Sequence, residues 1–169
     1  MKVVLNVPED LDVQFVYRMI RNELYITQIP SEFTFFYLDS LQSALQHRAA
    51  LGKAWGLAAY IKTVAKLMSK KRSLYIVKSN NELAAFGWCS TGFCTHYRTD
   101  LNALVIGPIE TYNRFQSKGL GSTAMMLAIN SNIKRGISTF YIDTQRTNKA
   151  AQKTFAKCGF GEPIALYQR

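Results

Sequence analysis

The sequence predicts an α/β (α+β) fold in one domain, and three stretches carry that prediction. Residues 73–78 and 83–89 are strand-like apolar runs joined by the turn-rich tetrapeptide Ser79-Asn80-Asn81-Glu82, which makes them an antiparallel hairpin. The apolar run 103–109 leads through a polar, glycine-containing segment into the helical pattern 122–133, in the order strand, loop, helix. Ahead of the hairpin, a long helical pattern runs from residue 39 to about residue 70. The 169 residues suit a single domain, and 48% of them are hydrophobic. A chain of this size buries roughly two-thirds of its unfolded surface, enough for a sizeable core.

From the N-terminus, 2–7 reads as a short strand, and Pro8 with Glu9 and Asp10 opens a helix that carries Phe15, Met19 and Ile20 on one side. The stretch 25–38 is aromatic and irregular: Pro30 breaks any helix, and Phe33, Phe35, Phe36 and Tyr37 serve either the core or the lining of a cleft. With Asp39 or Ser40 as N-cap, the next helix turns Leu41, Leu45, Leu51, Trp55, Ala58, Ile61, Ala65 and Met68 to one side. Gly52 and Gly56 bend it or admit a close neighbour. After the hairpin comes a loop, 90–100, with Cys94, His96, Tyr97 and Arg98. A strand at 102–111, the helix 122–133 and a strand at 138–143 follow. Nothing marks a repeat, a linker or a low-complexity segment, so one domain over 1–169 is expected.

The formal net charge of +10 is unevenly spread. No Asp or Glu occurs between Asp39 and Glu82, a stretch that holds Arg48, Lys53, Lys62, Lys66, Lys70, Lys71, Arg72 and Lys78. An anionic partner fits that region, whether cofactor phosphates, a nucleotide-linked substrate or nucleic acid; a solvated helix face is the plainer account. Lys62, Lys66 and Lys70 stand in one helical row, a repulsive arrangement that a phosphate backbone would relieve. Cys89, Cys94 and Cys158 are an odd number of cysteines and read as reduced thiols; with only His47 and His96 besides, they argue against structural zinc. The first residues hold too short an apolar run for a signal peptide, and no stretch reaches the ~20 apolar residues of a membrane span. A cytoplasmic location without a membrane partner is the expectation.

The chain is organised around Gln116-Ser117-Lys118-Gly119-Leu120-Gly121, between the apolar run and the helix. Two glycines one residue apart let the backbone approach a ligand that a Cβ would push away, and a helix N-terminus offers unpaired N–H groups and partial positive charge. With Lys118 beside them, a pyrophosphate is the natural guest. A P-loop needs Gly-Lys-Ser/Thr in that order, whereas Lys118 precedes Gly119. Gly119 to Ala124 does fit G-x-G-x-x-A, with Asp143 near the place of a ribose-binding acid. Against a dinucleotide fold, the polar stretch 111–118 separates strand from glycine, and too little chain follows for the remaining strands.

The segment resembles motif A of the GNAT superfamily of acyl-CoA-dependent N-acetyltransferases, Gln/Arg-x-x-Gly-x-Gly/Ala after a strand. A second block at the right distance, Asn148-Lys149-Ala150-Ala151 through Phe155 to Cys158-Gly159-Phe160, is similar to its motif B, and the resemblance covers about residues 73–162. It implies a GNAT-like fold: a mixed, mostly antiparallel central sheet of about six to seven strands with helices on both faces. The sheet is expected to splay near the end of strand 102–111, the gap holding the pantetheine arm of acetyl-CoA.

The resemblance also implies roles. The diphosphate is expected on the N–H groups of Ser117, Lys118, Gly119, Leu120, Gly121 and Ser122 after Gln116, and the thioester carbonyl on backbone N–H groups near Thr111, an oxyanion-type interaction. Asn148 would contact the cofactor arm or order its loop. Asp143 stands where some relatives carry a catalytic carboxylate, with capping as its other reading; Glu110 is a rival base of opposite strand parity to Thr111, and His96 and Tyr97 come after it. Two positions depart from the pattern. Phe155 replaces the motif B tyrosine that protonates the leaving thiolate, leaving Tyr141 or water as donor, and Ser117 stands where relatives often have Gly. A thiolate leaves tolerably without a donor, and one general acid is worth roughly 10² to 10⁴ in rate. The expected function is acetylation of a primary amine on a small molecule, a nucleotide-linked amino sugar included. The alternatives are an RNA- or protein-borne amine, or a non-catalytic CoA-binding module; a homodimer stays open.

Overall fold

The structure, a computed structural model, describes residues 13–168. Seven strands form one sheet in the order β2-β3-β4-β5-β6-β1-β7: β1 Val13–Ile20, β2 Thr34–Leu38, β3 Arg72–Ser79, β4 Glu82–Thr91, β5 Leu104–Thr111, β6 Thr139–Gln145 and β7 Ala165–Gln168. All neighbours are antiparallel except β5 and β6, so the sheet is mixed and mostly antiparallel. The expected hairpin is β3–β4, closed through Asn80 and Asn81, with Asn80 at φ 54.

Among the described residues four α-helices cover the sheet: α1 Leu41–Gln46, α2 Arg48–Met68, α3 Leu120–Ile133 and α4 Lys149–Lys157. On one face, Ala124, Met125, Ala128 and Ile129 of α3 and Phe155 of α4 pack with Tyr75, Val77, Leu104, Ile106, Phe140 and Ile142. On the other, Ala44, Leu51 and Leu67 of α1 and α2 pack on Leu38, Leu74, Ile76 and Trp88 of β2 to β4. The rest of that second face carries Val16, Val105 and Tyr141, covered by Cys94 and Tyr97 of the β4–β5 loop. No helix among the described residues is long and apolar enough to cross a membrane.

Three expectations need correction. Phe15, Met19 and Ile20 are not on a helix but on β1, paired with both β6 and β7. Their helical spacing competed with a denser strand signal, because Val13-Gln14-Phe15-Val16-Tyr17 is β-branched and aromatic and buries both faces. The strand expected at 2–7, and Pro8 to Asp10, lie outside the described residues. The aromatic stretch 25–38 is not wholly irregular: its end is β2, which bonds β3 from Thr34↔Lys78 to Leu38↔Leu74. The long helix begins where expected, Ser40 capping α1 through Ser43, but it breaks at His47, and Gly56 interrupts α2 with φ 78. Leu41, Leu45, Ile61 and Met68 of the expected apolar side stay exposed.

The feature that positions the site is in β5. Between Cys89↔Ile106 and Gly87↔Ile109, β5 spends one residue more than β4, at Gly107-Pro108. Pro108 has no N–H to give a ladder, so a bulge falls there. The pairing of β5 with β6 ends at Ile106↔Ile142. Beyond that point the two parallel strands separate, and the sheet is open between them.

Candidate active site

On the α3–α4 side of the opening lies a cleft of about 560 Å³ bordered by Thr111, Ser117, Gly119, Gly121 and Ala151. Its floor is built by backbone. The Gln116 amide donates to Thr111 O (2.9 Å) and to Asn113 Oδ1 (3.0 Å), tying the end of β5 to the loop that follows. Leu120 is buried and anchors the first turn of α3. Gly119 is the N-cap at φ 71, and the first helical bond runs from Thr123 N–H to Gly119 O (3.1 Å). The N–H groups of Leu120, Gly121 and Ser122 therefore precede the ladder and open toward the cleft side of the turn.

A Cβ on Gly119 would meet nothing within 4 Å, while one on Gly121 would come 3.3 Å from Thr111 Oγ1. Gly119 leaves the space above the turn open, and Gly121 lets the turn press against β5. Ser117 adopts φ 63, in the left-handed region that suits glycine. Lys118 extends over the Phe33 ring (5.5 Å), and Lys157 of α4 borders the same cleft. The residues present fit a diphosphate: N–H groups at a helix start, no Cβ in the way, cations at the rim.

A second cleft, of about 590 Å³, passes through the opening to the other face and shares Ile109, Asn148 and Ala151 with the first. Asp143, on β6 just past the last β5 pair, borders it. Its Oδ2 accepts from Tyr167 O–H (2.6 Å) and its Oδ1 from Tyr97 O–H (3.3 Å). The His96 ring stacks on Tyr167 (5.4 Å, 4°) at the rim. Burial, with Asp143 and Cys94 nearby, holds the Tyr97 hydroxyl far above the ordinary tyrosine range, so Tyr97 is a donor and not a base here.

The sequence profile of the acetyltransferase (GNAT) family matches residues 33–160. The chain belongs to the GNAT family. That family is one of acetyltransferases. Among curated proteins none matches by sequence. Solved structures do. A GNAT acetyltransferase from Colwellia psychrerythraea superposes with TM-score 0.62 at 13% identity over 92% of this chain and 53% of its own. A GCN5-related N-acetyltransferase from Kribbella flavida gives 0.58 at 12% over 91% and 56%. The aminoglycoside acetyltransferase AAC(6')-Iy, solved with a bisubstrate analogue, gives 0.59 at 16% over 82% and 99%. At these identities the likeness is one of fold. This chain spans about half the length of the first two.

The GNAT structure gathers some expected site residues and separates others. Thr111, Gln116, Ser117, Gly119, Leu120, Gly121 and Ser122 meet at the first cleft, and Asn148 lies where the two clefts join. Asn148 caps α4, its Oδ1 accepting from Ala151 N–H (3.0 Å). Phe155 is 1% exposed, edge-on to Tyr17 (5.4 Å), with part of its ring in the second cleft. Glu110 sits opposite Phe86 on the α2 side, beside Lys53 and Arg114 in a separate cavity of about 480 Å³, and it also touches the edge of the first cleft. Tyr141 borders neither cleft: it is buried and donates to Asp100 (3.3 Å), which pairs with Arg18. Sequence reasoning missed Gln14, Tyr167, Trp88 and Lys157, and it saw Lys66 and Arg72 only as members of a basic region. Tyr167 and Gln14 face each other across β1 and β7, strands with no motif of their own. All three cysteines are free thiols.

Proposed function

We propose that this GNAT domain transfers the acetyl group of acetyl-CoA to a primary amine of a small molecule, a nucleotide-linked amino sugar being one such acceptor. The observation that carries this reading is the junction of the two clefts where β5 and β6 part, with a diphosphate cradle on one side and a hydrogen-bonded carboxylate on the other. Acetyl-CoA supplies an activated thioester. The N–H groups at the start of α3 hold its diphosphate, and the end of β5 near Thr111 offers backbone N–H donors for the thioester carbonyl.

Asp143 receives the acceptor. Tyr167 and Tyr97 fix the rotation of its carboxylate, and each oxygen keeps a lone pair for an ammonium N–H; the ammonium loses its first proton to solvent, and the neutral amine attacks. As the nitrogen bonds the carbonyl carbon it becomes strongly acidic, so a carboxylate suffices to take its proton. Phe155 donates nothing, which leaves the departing thiolate to solvent in the cleft; with a thiol pKa of about 8.5 this is tolerable. Exposed Lys62 on α2 and Lys70, which lies past the end of that helix and not in the expected helical row, favour an RNA-borne amine as a second reading. Steady-state thiol release from acetyl-CoA, measured with a panel of amines, tests the proposal. Saturable, amine-dependent release is expected, and release no faster than hydrolysis with every amine would overturn it.

A further inference from the structure

The second cleft contains two cations that the transfer chemistry does not use. Lys66 on α2 and Arg72 at the start of β3 both border it. Lys66 Nζ lies 5.0 Å from the Trp88 ring centroid and the Arg72 guanidinium 5.1 Å from that of Phe93. These rings orient the side chains but carry no net charge to neutralise them. The ion pairs among the described residues are Arg18–Asp100, Lys53–Glu82, Arg114–Glu82 and Arg135–Asp39, so neither cation has an acidic partner there. The flanking chain offers none either, since acids are missing between Asp39 and Glu82.

Among the described residues bordering the cleft, Asp143 is the one carboxylate. It stands on β6, three strands from Arg72 on β3, a separation of roughly 14 Å at the usual strand spacing. The cleft is therefore polarised, negative where the amine must bind and positive at the far wall. On β1, the strand beyond Asp143, Gln14, 3% exposed, borders the cleft with its Nε2 unpartnered among the described residues, a further donor inside it.

Resting on the acetyltransferase reading above, we infer that the acceptor amine carries an anionic group, a carboxylate or a phosphate, which docks on Lys66 and Arg72 while its amine meets Asp143. Arg72 grips either anion through its planar fork, and Lys66 adds a point charge. Polycationic amines would place positive charge against this wall and are excluded by it.

Matched amines differing in the anion alone test this. Lysine against cadaverine is the carboxylate arm, and glucosamine 6-phosphate against glucosamine the phosphate arm. Each is assayed for kcat/KM and, by calorimetry on the CoA-loaded protein, for binding. In the wild type the anionic member of at least one pair is favoured by about tenfold or more, and the favoured arm names the anion. The preference collapses in the Lys66→Gln, Arg72→Gln double variant, reverses in Arg72→Glu and is largely kept in Arg72→Lys, with CoA affinity and melting temperature reporting that the variants fold. Acetylation of both members of each pair with equal efficiency would overturn the inference and leave the acetyltransferase reading intact. Anion-dependent binding lost in the double variant, without turnover of any amine, would support the docking site while overturning the transfer. Absence of both preference and anion-dependent binding would overturn the inference.

Discussion

The two clefts that meet between β5 and β6 are built in opposite ways. The proposed cofactor cleft draws more than half of its lining from one continuous stretch, 109–124, and on the proposed reading works through backbone N–H groups at the start of α3. The acceptor cleft draws Gln14, Lys66, Arg72, His96, Asp143 and Tyr167 from separate elements along the chain and works through side chains. Backbone recognition constrains spacing, because glycine must fall where the chain turns left-handed or presses on a neighbour, as at Gly119 and Gly121. Side-chain recognition constrains only the final assembly. The first kind leaves a trace in a single sequence and the second does not.

The sharpest break between the clefts is expected from Gly119→Asp. Aspartate tolerates the left-handed φ, but its carboxylate enters the open space proposed for the diphosphate, so the melting-temperature rise expected from acetyl-CoA should vanish. An unchanged rise would place the cofactor elsewhere. Asp143→Asn, on the other side, should lower kcat/KM by roughly 10² to 10⁴ while leaving the acetyl-CoA shift in place. Full activity in that variant would pass the base role to His96, which borders the same cleft, or to Glu110.

Phe155→Tyr probes the junction itself. The ring already touches the acceptor cleft, so a para hydroxyl should leave kcat/KM unchanged or raise it by less than about tenfold. A fall greater than tenfold would mean that the para position is packed in the core. The smallest effect belongs to Ser117→Gly. It relieves a left-handed residue, worth roughly 1–2 kcal/mol, and returns about 0.4–1 kcal/mol of that through the freer unfolded chain. A net stabilisation of up to roughly 1.6 kcal/mol should appear in denaturant unfolding. Destabilisation would show that the Ser117 side chain makes a needed contact.

The same contrast explains what was legible. The hairpin, the strand–loop–helix unit and the Ser40 cap are local, and sequence reading placed them close to where they lie. The opposite orientation of Glu110 and Thr111 also followed from strand parity, and it holds through the bulge. β1 was misread as helical because its pairing with β6 and β7 spans more than a hundred residues, beyond any local pattern. The basic region was visible as composition. That Lys66 and Arg72 of this region face a cleft, while Lys62 and Lys70 face solvent, depends on how α2 docks over β3 and β4, which no spacing rule encodes.

The central claim, that donor and acceptor are bound at once on opposite faces and meet in the gap between β5 and β6, is most directly tested by equilibrium binding of a bisubstrate conjugate: CoA joined through an acetyl spacer to lysine. Occupying both clefts with one molecule, it should bind at least about tenfold more tightly than CoA, and Gly119→Asp and Asp143→Asn should each weaken it. An affinity equal to that of CoA, unaffected by Asp143→Asn, would contradict the account.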